Sequence, residues 1–156
     1  MTELAHLKHS PLFAGLSDAE IELLGRFFYE KDLAEGMTIF VENMAGESLY
    51  LIEQGVVKIS RMLGEGEEKI LVVLGAEEIF GEMAVFDSAP RQATARVAEK
   101  ASLLYLRRTE YDNLCALHSG LALKLTRNII RMLNRRLREK DDDYMDFLSL
   151  PAGNPD

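Results

Sequence analysis

Residues 79–97 read IFGEMAVFDSAPRQATARV, and that stretch decides both the fold and the place to look for a site. Ile79 and Phe80 close an apolar run, and Gly81, lacking a Cβ, lets the backbone approach a bound group where the strand stops. Glu82, Met83, Ala84, Val85 and Phe86 favour one or two helical turns. Asp87, Ser88, Ala89 and Pro90 then end the helix, Pro90 by biasing Ala89 toward an extended conformation. The first N–H groups of such a turn have no partners within it, and their dipoles favour a negative group. Arg91 adds a forked cation suited to bidentate pairing with phosphate, while Gln92 and Ala93 offer further backbone donors. Glu82 is the odd member. Its carboxylate would repel an anion, so it reads as an acceptor for a hydroxyl such as a ribose 2′-OH. Taken singly, each residue has a plainer reading: Gly81 as a strand end, Glu82 as a helix cap, Arg91 as the partner of Glu82 across the turn.

Working outward, the period on the N-terminal side is that of strands. Turn signals recur at Glu35-Gly36, residues 43–46, Gly55, residues 64–66 and Gly75-Ala76. Between them, residues 37–41, 48–54, 56–62 and 69–74 are each long enough for one strand, and after the stretch 93–98 and 102–106 read as two closing strands. Many short strands with short turns make an antiparallel barrel rather than a βαβ fold. Further out, Ser17 to Glu20 has the spacing of a capping box, and Ile21, Leu23, Leu24, Phe27 and Phe28 give a helix an apolar face through about Phe28.

These residues together resemble the cyclic-nucleotide-binding domain family, of the catabolite activator and kinase regulatory subunit type. The run Phe80-Gly81-Glu82-Met83-Ala84, ending through Pro90 in Arg91-Gln92-Ala93-Thr94, is similar to the family's phosphate-binding cassette. The resemblance implies a jelly-roll barrel flanked by an N-terminal helix, a short cassette helix and a long C-terminal helix. It implies cAMP or cGMP as ligand, Glu82 on the ribose hydroxyl and Arg91 on the cyclic phosphate. The family's pocket positions fall on Leu71 and Val72, with Ile59 on the facing strand; read from the residues alone, all three are equally plain core. Where the family has a glycine after the second strand, this chain has Asn43-Met44, and Asn tolerates left-handed backbone. Gln92 stands where kinase subunits help discriminate the base, and it leaves that choice open. An ungapped count puts Arg136 where a hydroxyl of the long helix meets the base in the catabolite activator. A guanidinium there would stack on the purine or donate to it, or else belongs to a solvated basic stripe.

The last third reads as helical. Thr109 caps a helix through Leu117, and Ser119-Gly120 breaks it before a longer helix from Leu121 to about Phe147. Ala122, Leu125, Ile129 and Met132 form one apolar stripe, and Leu123, Ile130, Leu133 and Leu137 form a second. A helix lying on its own barrel needs one, so the second implies a homodimer. Ile129 and Met132 are the pair whose replacement is expected to break it. Arg127, Arg131, Arg135 and Arg138, with Lys124, Arg136 and Lys140, make a cationic stripe, read as a solvated face.

The remaining limits come from composition. With 156 residues and 47% hydrophobic residues, the chain suits one barrel domain over 1–118, a lid or dimerisation helix over 119–148 and a flexible tail over 149–156. That tail leaves no room for a helix-turn-helix domain, so the expected output is a partner protein or self-assembly. A net charge of −8 disfavours nucleic acid, and no apolar run suggests a membrane span. The single Cys115 suits a cytoplasmic protein and excludes an internal disulfide. His6, His9 and His118 all lie outside the expected strands, so no metal triad lines the barrel and no enzyme is expected. The competing reading is a ligand-free interaction or dimerisation module of the same fold.

Overall fold

The computed structural model describes residues 2–149, with side-chain surroundings through residue 140. Of the expected tail over 149–156, residues 150–156 lie outside the described residues. After two 3-10 turns, Ala5–Leu7 and Pro11–Phe13, the elements are α1 (Asp18–Leu24), β1 (Phe28–Leu33), β2 (Thr38–Phe40), β3 (Ser48–Gly64), β4 (Glu67–Leu74), β5 (Ile79–Phe80), α2 (Met83–Phe86), β6 (Thr94–Arg107), α3 (Arg108–Leu117) and α4 (Ser119–Ser149). The strands make one antiparallel sheet in the order β1-β6-β3-β4, with β2 added to β6 and β5 added to β3.

Two long strands organise this sheet, where the sequence suggested four short ones. Gly55 does not turn the chain. It sits at φ +100° inside β3, and the β3–β6 register slips on either side of it, as at a bulge. A Cβ there would lie 2.4 Å from the Lys100 carbonyl oxygen, so the two strands close over that point only because the residue is glycine. Residues 93–106 likewise run on as the single strand β6. Each long strand therefore serves both halves of the sheet, β1 and β5 at one end and β2 and β4 at the other.

The first residues of β3 are buried on both faces. Leu49 and Leu51 join Leu104 and Leu106 under the helices, packing with Phe13, Phe28, Leu114, Leu125 and Ile129. Tyr50 and Ile52 point the other way, into a second cluster with Val57, Phe80, Val97 and Leu103. The alternation is the ordinary period of a strand, and it gives the domain a core between sheet and helices and another inside the sheet.

The helix boundaries differ from expectation in three places. The capping box at Ser17 forms as expected, but α1 ends at Leu24 and Phe28 opens β1, because both its backbone pairing with Leu106 and its burial are satisfied there. Thr109 lies within α3. Arg107 is the N-cap without a side-chain bond, and the Arg108 amide donates to the Glu47 carbonyl instead. The break between α3 and α4 falls at His118 (ψ 65°) rather than at Ser119-Gly120.

The two stripes of α4 also resolve. Ala122, Leu125 and Ile129 are buried in the chain's own core, and Met132 and Leu133 are partly buried against it. Ile129 and Met132 are therefore not surface positions that hold a dimer, a correction to the expectation above. Leu123, Ile130 and Leu137 stay 54%, 50% and 60% exposed. Asn128 locks the helix in place, its Nδ2 donating to the carbonyls of Leu12 and Ala14, both at 2.9 Å.

Candidate functional site

β5 ends at Phe80, and Gly81 follows at φ +75°, a conformation open to a residue without Cβ. The chain then makes the single turn α2. The Ala84 and Val85 amides donate to the Gly81 and Glu82 carbonyls, which leaves the amides of Glu82 and Met83 with no protein partner among the described residues. Beyond Pro90 the chain doubles back. Asn43, at φ +68°, donates its amide to the Arg91 carbonyl, and the Arg91 amide donates to Met44, so the Asn43-Met44 turn is zipped onto the residue that closes the cassette.

Arg91 is the centre of this arrangement. Only 7% of it is exposed; Nη1 donates to the Gly81 carbonyl and Nη2 to the Ser48 carbonyl, each at 2.8 Å, and the guanidinium stacks 4.0 Å over the Phe40 ring. Its Nε is buried with no partner. A Cβ on Gly46 would come within 2.1 Å of that Nε, so Gly46 leaves the space the guanidinium fills. Burial pushes Arg91 below its ordinary pKa, with Tyr50 and Glu82 pulling the other way. An arginine stays charged under such a shift. The plain reading of an Arg91–Glu82 ion pair fails: among the described residues no salt bridge joins them. Arg91 is thus a desolvated cation whose visible partners are neutral carbonyls and whose Nε–H has none. Such a group favours an anion.

All of the site residues expected from the sequence meet around one cavity of about 470 Å³. Phe80, Gly81, Glu82, Met83, Ala84, Arg91, Gln92 and Ala93 line it from the cassette, Ile59, Leu71 and Val72 from β3 and β4, and Arg136 from α4. Ile59 pairs with Val72 across the β3–β4 ladder, which makes them neighbours on an apolar wall. Arg136 donates from Nη2 to the Ile79 carbonyl at 2.5 Å, which ties α4 to β5; Ile79 lies in a neighbouring concavity edged by Glu77, Glu78 and Glu139, which Arg136 also borders. The cavity also takes Leu137, and Phe40, Arg61 and Lys140, which the sequence reading missed. Lys140 and Arg61 carried a signal in hindsight: one lies a helical turn beyond Arg136, the other two residues along β3 from Ile59. A concavity of similar size near Thr2, Leu4 and Ile21 is edged by Glu3, Asp18 and Glu22 with Lys8 alone to oppose them, a poor place for an anion.

Residues 30–118 match the family model described as the cyclic nucleotide-binding domain. The chain belongs to that family. The cyclic AMP receptor protein of Thermus thermophilus is 38% identical over 143 residues, which are 92% of this chain and 64% of that protein. A crystal structure of the T. thermophilus catabolite activator protein superposes with a TM-score of 0.74 at 37% identity, covering 90% of this chain and 63% of that one. A cyclic nucleotide-binding domain from Methylobacillus flagellatus reaches 0.82 at 21% identity over 99% and 90% of the two chains, a likeness of fold. The chain spans less than two thirds of the length of its Thermus relative. Curated relatives include regulators such as the cAMP-dependent protein kinase regulatory subunit of Yarrowia lipolytica, 27% identical over 69% of this chain and 28% of that protein. In this cyclic nucleotide-binding domain the stretch from Phe80 to Thr94 folds around the buried Arg91. Among the described residues, no group of three or more metal-ligating side chains converges, and no helix is long and apolar enough to cross a membrane.

Proposed function

We propose that this domain is a cytoplasmic sensor that binds a cyclic purine mononucleotide, cAMP or cGMP, in the cassette cavity and passes the signal on through α4. The observation that carries the reading is Arg91: a desolvated guanidinium with a buried unpaired Nε–H, lining a cavity with apolar walls. In this role Arg91 and the amides of Glu82 and Met83 hold the cyclic phosphate, Glu82 accepts from the ribose 2′-OH, Ile59, Leu71 and Val72 flank the purine, and Arg136 caps it. The test is calorimetry and thermal melting with cAMP and with cGMP. Ligand at a hundred times its Kd is expected to stabilise the fold by about 2.7 kcal/mol. Absence of both heat and a melting shift at millimolar nucleotide would defeat the proposal.

One observation favours the second reading, a ligand-free interaction module. Both Nη groups of Arg91 already bond carbonyls of the chain, so the cassette is partly satisfied by itself. The same titration decides between them.

Signal output on this proposal runs from the 1–118 domain into the 119–148 helix, and onward through a homodimer or a partner protein. Leu123, Ile130 and Leu137 recur at i, i+7 and i+14, the spacing of one position in a coiled-coil heptad, and all three are exposed. Ile130→Glu is expected to convert the dimer to monomers in light scattering while leaving the melting temperature of the fold within a few degrees. An unchanged mass would remove this face from the interface.

A further inference from the structure

Outside the cassette, the polar side chains that line the cavity are all hydrogen-bond donors: Arg61 from β3, Arg136 and Lys140 from α4. Glu82 and Gln92, whose side chains can accept, both belong to the cassette with Arg91. No hydroxyl or histidine lines the cavity among the described residues.

Arg61 is placed at a cost. Its cross-strand partner is Lys69, and like charges directly opposite destabilise a ladder. Two acids near that part of β3 already have partners: Glu42 accepts from the Met62 amide, and Glu68 from the Ser60 hydroxyl with Lys58 and Arg96 nearby. Among the described residues Arg61 has no ion pair. A cation kept against a like charge at the rim of a cavity gains when an acceptor arrives there.

Purine edges differ in the feature such a rim detects. A 6-oxopurine presents two acceptors, O6 and N7, which match one guanidinium bidentately. A 6-aminopurine presents N7 beside an amino donor, which would face cations with nothing to accept its N–H. We infer that Arg61, together with Arg136, makes this cavity select a cyclic nucleotide with a 6-oxopurine base, of the guanine type, over one with adenine. The inference rests on the nucleotide reading above and adds the base.

Isothermal titration of the intact chain with cyclic GMP, cyclic IMP and cyclic AMP tests it. Cyclic IMP keeps the 6-oxo group and lacks the 2-amino group, so it isolates the edge in question. The two oxo nucleotides are expected to bind within a few-fold of each other and about tenfold tighter than cyclic AMP, the low end for a bidentate base contact because the rim is solvated. Arg61→Ala should shrink that ratio to below about threefold, with most of the loss falling on the oxo ligands. Arg61 is exposed and faces Lys69, so without ligand the variant should melt no lower than the parent, or slightly higher. Arg136→Ala is the second arm. Cyclic AMP binding as tightly as cyclic GMP, or a ratio unmoved in Arg61→Ala, Arg136→Ala and the double variant, would overturn base selection and leave nucleotide binding standing. Failure of all three nucleotides to bind would overturn both.

Discussion

Arg91→Ala is expected to weaken cyclic nucleotide binding by roughly thirty-fold to several thousand-fold, the equivalent of about 2 to 5 kcal/mol for losing one partner of a desolvated charge pair. The reason lies in where the cation sits. A surface arginine would be screened and would contribute little, whereas Arg91 is 7% exposed and has already lost its water. The same side chain ties the end of β5 to the start of β3 through the Gly81 and Ser48 carbonyls, so the variant should also melt somewhat earlier. Two further variants separate affinity from folding. Gly46→Ala keeps the charge but puts a Cβ 2.1 Å from Nε, which must push the guanidinium out of its seat, and should lose affinity as well. Glu82→Gln keeps an acceptor for a ribose hydroxyl and should cost less than either. Calorimetry on each protein, with circular dichroism to confirm folding, makes the comparison. If Arg91→Ala bound as tightly as the parent, the phosphate would have to be held elsewhere.

Ile129→Glu is expected to destabilise the domain by about 4 kcal/mol, through loss of a buried side chain worth roughly 2 to 3 kcal/mol and burial of an unpaired carboxylate. Domains of this kind have about 5 to 15 kcal/mol in all, so roughly a quarter to four-fifths of the margin would go, and the melting temperature should fall by roughly 10 to 15 °C. Ile129 is 1% exposed and packs in the cluster that joins α4 to Phe13, Leu114 and Leu125. Asn128, next to it, is tied to the turn at Leu12 and Ala14, so α4 cannot readily roll the new charge into water. Ile130→Glu is the control. One residue further along and turned away from the core, it should change the stability of the fold by no more than about 0.5 kcal/mol. Urea unfolding of both proteins gives the difference directly; equal midpoints would mean that α4 does not rest on its own domain in solution.

What was legible in the sequence is what the chain decides over short distances. Gly81, Glu82 and Arg91 lie within one turn-helix-turn, and the conformations open to glycine, the capping of a short helix and the stop at Pro90 are local properties. That stretch therefore indicated the family, and the antiparallel fold followed from turns spaced one strand apart. The family resemblance, counted along the chain without gaps, also led to Ile59, Leu71, Val72 and Arg136. Tertiary structure decided the rest. Gly55 reads as a turn, but the approach of Lys100 and Ala101 across the sheet makes it a bulge inside one long strand. Both stripes of α4 are apolar, and only the position of the Pro11–Phe13 turn and the sheet determines that Ile129 goes in and Ile130 stays out. Phe40, Gly46 and Ser48 reach Arg91 from more than forty residues upstream. The physical reason is common to all three cases: a residue's period and propensity are carried by its neighbours in the chain, while its desolvation and its partners are fixed by segments that meet only when the sheet closes.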